Sequence, residues 1–489
     1  MINHSQKNFL KMNKLRIIKY TVVFGLVIMS FNACKTPQLV QKDEKMTLPE
    51  EYSNFQKDSL NSAKLNWKEY FTDSYLQALI DTALVNNQEL NIILQEIEIS
   101  KNEVRARKGE YLPSAGLKAG ASVDKVSRYT NIGAMEANTE ILHGKEMPEP
   151  LQDYMVGAYA TWEIDVWKKL RNAKKAAVNR YLASVEGKNF MVTNLIAEIA
   201  NSYYELLALD CQLEIIKENI KIQSEVLEIV KLLKESARTN ELVVKRFEAQ
   251  VLKTKGMEFE IQQEIIETEN QINFLTGRFP QKIERNAENF QDLIPNVIAT
   301  GFPSDILQNR ADIRQAELEL AASKLDVKSA KARFYPSIGI STGIGYQAFN
   351  PDYLVKPHAL MYSLTGDLVA PLINRNAIKA EYYSANSKQL QAVYDYQKTI
   401  LNAYLEIMNS LSKIKNLDSS FKLKEAEVDA LVQSVEISNN LFKSTRADYM
   451  EVLLTQREAL ESKFELIEIK MKQLNETVNA YKALGGGWQ

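Results

Sequence analysis

Two stretches of this chain run far past ordinary helix length without a helix breaker. Residues 167–235 contain no proline and a single glycine, Gly187, and residues 372–443 contain neither. Proline removes an amide donor and clashes inside a helix, so its absence permits one continuous helix in each stretch, roughly 100 Å long at about 1.5 Å per residue. Apolar residues recur at helical spacing, for instance Leu213, Ile216, Ile220, Leu227 and Val230, with Gln223 the one polar interruption. Such a helix is not stable alone in water and must pack beside others. Each stretch ends in a polar break, Ser236-Ala237-Arg238-Thr239-Asn240 and Ser444-Thr445-Arg446-Ala447-Asp448, and a second helix of about 35 residues follows.

The chain is also an internal duplication. Residues 86–120 lie over 309–343 without a gap, so that Asn86, Glu96, Ser100, Lys101, Val104, Lys108, Pro113, Ser114, Gly116 and Gly120 meet Asn309, Glu319, Ser323, Lys324, Val327, Lys331, Pro336, Ser337, Gly339 and Gly343. Arg171-Asn172-Ala173 recurs as Arg375-Asn376-Ala377, and Asn201, Tyr203 and Glu205 match Asn402, Tyr404 and Glu406. Leu275-Thr276-Gly277 closes the first half as Leu484-Gly485-Gly486 closes the second.

In each half a proline ends the opening helix and a two-residue alternation begins. Ala115, Leu117, Ala119, Ala121 and Val123 oppose Ser114, Gly116, Lys118, Gly120 and Ser122; Ile338, Ile340, Ile344 and Tyr346 oppose Ser337, Gly339, Ser341, Gly343 and Gln347. Partner segments alternate likewise, Tyr154, Val156, Ala158, Ala160, Trp162 and Ile164 in one half and Leu360, Tyr362, Leu364 and Leu368 in the other. Strands are expected at about 114–126, 153–165, 337–349 and 358–369, paired as two hairpins. Alternation also suits a soluble sandwich. Four strands cannot bury an apolar face alone, however, whereas a multi-chain barrel in lipid would satisfy every strand edge.

The N-terminus reads as an address. Lys7, Lys11, Lys14, Arg16 and Lys19 precede an uncharged apolar run, 20–31, and then Asn32-Ala33-Cys34. That run is well short of the ~20 residues a membrane-spanning helix needs, and the pattern is that of a cleaved signal peptide, 1–33. Cysteine directly after the small residue resembles a bacterial lipobox, which implies a lipid-carrying Cys34 heading a segment 34–66; Lys35, where a retention signal would have Asp, permits transfer to the outer membrane. An ordinary signal peptide with a stray cysteine is the competing reading. The other cysteine, Cys211, lies in an apolar helical stretch and reads as packing.

Composition removes most other classes. Lys and Arg total 60 against 62 Asp and Glu, which gives no reason to expect a nucleic-acid partner. Three scattered histidines and two cysteines offer no metal cluster and no disulfide framework. No nucleophile–base pair stands out, and no catalytic residue, cofactor or metal is expected. Gly339, Gly343 and Gly345 lie on a strand face and lack the helix start of a phosphate loop. Glu103 and Asp326 occupy equivalent repeat positions but sit on charged helix faces.

Several segments, in this order, resemble the TolC-like outer-membrane efflux proteins, in particular the lipoprotein branch that partners resistance-nodulation-division (RND-type) pumps. They are Trp67-Lys68-Glu69-Tyr70-Phe71, then Trp162-Glu163-Ile164-Asp165-Val166-Trp167, then Gly301-Phe302-Pro303-Ser304-Asp305-Ile306-Leu307 with Arg310 and Asp312-Ile313-Arg314. Phe334-Tyr335-Pro336-Ser337, Ala370-Pro371-Leu372-Ile373 and Ala483-Leu484-Gly485-Gly486-Gly487-Trp488 complete the set. The resemblance covers 67–488. It implies a mainly α protein with membrane β-structure: a homotrimer whose twelve-stranded barrel, four strands per chain, continues into a long periplasmic helical barrel. It divides the chain into repeats 67–277 and 301–489 around a linker 278–300, with segments near 40–66 and 277–300 forming a belt. It implies an outer-membrane exit duct fed by a periplasmic adaptor and an inner-membrane pump. Glycines usual at both hairpin tips are absent, with Ala237 and Thr445 near those places, and the glycine usual after the junction tryptophan is Lys168 here.

By tip position alone, Arg238, Glu241, Arg446 and Asp448 are the gate candidates, since threefold copies of a charge would ring the pore; solvated turn and cap residues are the competing assignment. A type I secretion or metal-efflux channel, a poreless envelope lipoprotein and a secreted enzyme remain the other function classes.

Overall fold

The computed structural model describes residues 36–46, 48, 49, 51, 52, 61–287, 290, 292, 293, 295, 296, 298–444 and 446–488. The signal segment, Cys34, Lys35 and Thr445 lie outside them. Among the described residues the main helices are α1 (Ser74–Asn86), α2 (Gln88–Tyr111), α3 (Lys169–Glu235), α4 (Glu241–Leu275), α5 (Ala311–Ala332), α6 (Asn376–Lys443) and α7 (Tyr449–Ala483). The strands are β1 (Ser114–Asp124), β2 (Leu151–Ile164), β3 (Ser337–Ala348) and β4 (Leu360–Val369). No described helix is long and apolar enough to cross a membrane.

The breaker-free stretches form helices of 67 and 68 residues, each followed by one of 35. Residues 372–375 do not join α6 as expected: Asn374 takes φ +52°, and a left-handed residue cannot continue a right-handed helix. The start of α3 is held from outside the helix, with Asp165 accepting from the amides of Leu170 (3.1 Å) and Arg171 (2.8 Å). Lys168, where the resemblance expects glycine, turns the chain at φ +61°.

The chain forms two compact units that cut across its halves. The first takes residues 36–43, 99–181 and 318–393. It holds an antiparallel sheet in the order β1-β2-β3-β4. The register pairs Ser114 with Thr161, Ile164 with Ile338 and Ser337 with Val369. The connector between β1 and β2 contains a short helix, Asn131–Glu136, and a small hairpin, Glu140–Leu142 with Lys145–Glu146. Below the strands, Val327, Ala330, Phe334 and Tyr382 form a small core onto which Leu39 packs.

The second unit takes 44–98, 182–317 and 394–489. Its main core joins Trp67, Tyr70 and Phe71 to Leu195–Ala208 positions on α3, Ile272 on α4 and Val478 and Tyr481 on α7. Tyr70 stacks on Tyr481 with centroids 4.0 Å apart. The polar interruption in the α3 stripe is satisfied: buried Gln223 accepts from Thr254 on α4 at 2.9 Å and donates to Asn219 at 2.7 Å. Cys211 packs on the main core, and burial pushes its thiol up to about 11, away from reactivity. In the segment read as part of a belt, Arg285 forks onto Asp210 at 2.5 and 2.9 Å and also pairs with Glu269.

Both halves end in the same construction, one residue out of step with the sequence match. The amides of Gly277 and Arg278 return to Phe274 and Asn273, and those of Gly485 and Gly486 return to Lys482 and Tyr481. This is the helix-ending motif that needs a left-handed residue, here Gly277 (φ +68°) and Gly485 (φ +94°). Gly485, not Gly486, is therefore the counterpart of Gly277.

Candidate functional site

Side chains directly opposite across an antiparallel pair share a face, so the register decides what each side of the sheet presents. One side carries Leu117, Ala158 and Ile344 in a row, with Val156 beside Tyr346 and Ile164 beside Ile338. Leu368, Leu364 and Tyr362 continue it on β4. Leu117, Tyr362, Leu364 and Leu368 are 70–86% exposed. The other side carries Ser114, Gly116, Lys118, Thr161, Gly157, Ser341, Gly343, Gly345, Ser363 and Thr365.

Gly345 is buried and Gly343 half-buried, while their neighbours Thr342, Ile344 and Tyr346 are exposed. At the middle of β3 the polar side is therefore the more sheltered one. Gly157 and Gly345 face each other so closely that a Cβ on Gly345 would lie 2.4 Å from the Val156 carbonyl oxygen. Side chains there would push the strands apart. A hollow of about 550 Å³ opens on the sheet, with Lys118, Met155, Tyr159, Met361 and Ser363 around it.

The repeat-related carboxylates Glu103 and Asp326 share a second hollow of about 570 Å³ in the same unit. Each is taken up by an arginine: Arg107 donates to Glu103 at 2.8 Å and Arg180 to Asp326. Among the described residues no group of His, Cys, Asp and Glu has the arrangement of a metal site.

The four gate candidates are all exposed, in two separate turns. The first turn is closed by the Arg238 amide, which donates to the Leu233 carbonyl at 2.8 Å, and by Ala237 at φ +57°. Glu241 pairs with Lys234, which holds its carboxyl below the usual range. Asn240 caps α4 by accepting from the Val243 amide at 3.2 Å. In the second turn the Arg446 amide donates to Leu441 at 2.9 Å. Asp448 stands where Asn240 does, but its side chain makes no capping bond to α7.

None of the four candidates bridges the turns. The bridge is made by residues the tip argument passed over. The Arg246 guanidinium lies 6.0 Å from the Tyr449 ring centroid and 2.9 Å from the Met450 sulfur, and Phe247 meets Phe442 at 6.4 Å. A usable signal existed: superposing the halves at the tips sets Tyr449 opposite Glu241, an aromatic in place of a charge.

A family model described as outer membrane efflux protein matches residues 79–278 and 302–486. The cation efflux system protein CusC of Escherichia coli is 24% identical, with 91% of this chain and 94% of that protein covered. The pyoverdine export outer membrane protein OpmQ of Pseudomonas aeruginosa is 26% identical, covering 86% and 87%. The Campylobacter jejuni CmeC outer membrane channel superposes with a TM-score of 0.82 at 19% identity, covering 92% of this chain and 94% of that one. A CusC structure gives 0.80 at 21% identity, covering 92% and 99%.

Proposed function

The chain belongs to the outer membrane efflux protein family, and on that footing we propose that it is a passive exit duct for small molecules, the outer-membrane channel of a tripartite efflux system. The observation that carries the proposal is the sheet's two-faced register: exposed large apolar side chains on one face, Gly and Ser on the other. In water that arrangement exposes its greasiest surface. In a bilayer it is the arrangement of a barrel wall around an aqueous lumen.

β1 and β4 each leave one edge unpaired within the chain, and an unpaired edge in lipid costs several kcal/mol per orphaned group. Three copies, each lending four strands, close a twelve-stranded ring. Helices of the chain are prepared for neighbours as well. Gly109 on α2 and Gly256 on α4 have nothing within 4 Å of where a Cβ would lie. Glycine inside a helix costs roughly 1 kcal/mol against alanine, and nothing within the chain calls for either. On α4, Leu252, Gly256, Phe259 and Ile266 form an exposed stripe at coiled-coil spacing; α6 exposes Leu401, Leu405, Leu423 and Ile437. A second copy laid α4 to α6 covers both.

In this reading the helical part extends into the periplasm, where a periplasmic adaptor and an inner-membrane RND-type pump supply cargo and energy. Cys34, lipidated, adds a second hold on the membrane. The duct itself makes no covalent bonds.

The decisive measurement is conductance in planar bilayers by the purified mature protein, with its mass in detergent. Trimers that open ohmic channels are expected. A monomer without detergent, or a trimer that never conducts, overturns the proposal and leaves a coiled-coil spacer. Separately, Cys34→Ala should abolish incorporation of labelled fatty acid; persistent label would remove Cys34 as the anchor.

A further inference from the structure

We propose that the level at which helices meet strands is a binding collar for anionic phospholipid headgroups. The proposal rests on the membrane-barrel reading above and adds a lipid class to it.

The collar begins where the strands end. Ile164 on the apolar face of β2 is followed by Val166 and Trp167, 48% and 46% exposed, and β4 is followed by Leu372 and Ile373, 60% and 90% exposed. Trp167 stacks on Tyr335 at 4.8 Å and donates its indole N–H to the Pro336 carbonyl at 2.7 Å. Indole and phenol rings held at strand ends are the groups that settle at a membrane–water boundary.

Charge at this level leans positive. Apart from Asp367 on the polar face of β4, its carboxylates are engaged by cations: Glu103 and Glu110 by Arg107, Glu163 by Lys169, Asp165 by Arg171. Arg180 takes Asp326 and Arg333 takes Glu381. The unpaired cations near the junction include Lys168, Lys331 and Lys379, and also Lys108, the repeat counterpart of Lys331; all are exposed and in no ion pair among the described residues. Lys168 adjoins Trp167. Lys331 precedes Phe334 by one helical turn, and Lys379 adjoins Ile378; Phe334 and Ile378 both belong to the small core under the strands. Arg375 lies over the Phe334 ring at 4.8 Å in the same patch.

Long lysine stems reach along apolar surface while their ammonium groups stay in the headgroup layer. Unpaired ammonium groups near the helix–strand junction, beside boundary-seeking rings, match phosphodiesters that carry net negative charge. Zwitterionic headgroups would gain little. A protein partner would have no need of a band continuous with the apolar strand face.

The test uses the full mature trimer in nanodiscs of phosphatidylcholine with phosphatidylglycerol, reading the lipids retained after extraction by native mass spectrometry. Wild type should retain phosphatidylglycerol over phosphatidylcholine by at least about fivefold, and high salt should erase the difference. The Lys168→Gln, Lys331→Gln, Lys379→Gln variant should lose the preference while remaining trimeric and conducting. Lys253→Gln, on an exposed face of α4, should leave it intact. Should the triple variant fail to assemble, wild type alone decides: its melting temperature should rise with phosphatidylglycerol fraction and not with inorganic phosphate. Equal retention of both lipids, or a preference unchanged in the triple variant, overturns the proposal. Failure to enter nanodiscs at all would instead overturn the barrel reading.

Discussion

The two halves of this chain are most instructive where the first helices meet the last. In the first half, Asn87 donates to the Leu275 carbonyl at 2.9 Å and caps α2 through the Leu90 amide at 2.8 Å. In the second, the counterpart is Arg310. It donates to the Ala483 carbonyl at 3.0 Å, forks onto Asp312 at 3.0 and 2.7 Å, and reaches Glu406 at 2.7 Å. The backbone construction is the same in both, with Gly277 against Asn86 and Gly485 against Asn309. A neutral amide serves one copy and a buried guanidinium the other, so what duplication preserved is the geometry and not its chemistry. The difference spreads. Glu406 has a cation, while its first-half counterpart Glu205 has none among the described residues; burial and the nearby Glu264 raise the Glu205 carboxyl above its ordinary range.

The largest effect should come from breaking the charged copy. Arg310→Ala strands Asp312 and Glu406 beside a buried carbonyl, and a loss of about 3–5 kcal/mol is expected in denaturant unfolding. Asn87→Ala removes one buried hydrogen bond and a cap and should cost only about 1–2 kcal/mol. Equal losses would show that the two sites do not differ as described.

A smaller effect of opposite sign is expected at the first tip. Ala237 adopts a left-handed φ that alanine resists, so Ala237→Gly should stabilise by roughly 1 kcal/mol, visible as slower amide exchange in the last turn of α3. Faster exchange there would sink this account of the tip.

The smallest is a pH effect. A carboxyl whose folded pKa is raised contributes stability at low pH that disappears as pH climbs through that raised value. Glu205→Gln should therefore melt slightly higher than wild type at neutral pH, and the two should converge in acid. Parallel melting curves across that range would detach Glu205 from the comparison.

Much of this architecture was legible in the chain. Periods of two and 3.6 located the strands and the long helices, because each side of those elements meets a different medium. Gln223 announced itself as an interruption whose partner, Thr254, only the folded chain could supply. What stayed hidden was set by single backbone residues or by contacts distant in sequence. Asn374 ends a helix that residues 372–375 otherwise invite, and a one-residue slip separates Gly485 from Gly486 because only the hydrogen bonds reveal which is left-handed. At the tips, charge drew attention to Arg238, Glu241, Arg446 and Asp448. The contact between turns passes instead through Arg246 and an aromatic ring, a pairing with no local pattern.

The folded connector between β1 and β2 has a practical consequence. β1 follows α2 and β2 leads into α3, so the connector springs from the end of the sheet remote from the helices. With the sheet seated in the outer membrane as proposed, this is the part that antibodies and phages would meet. At its hairpin Gly144 holds φ +73° with nothing within 4 Å of a Cβ. A foreign peptide spliced in at Gly144 would be displayed on living bacteria while the register of the wall beneath stays intact.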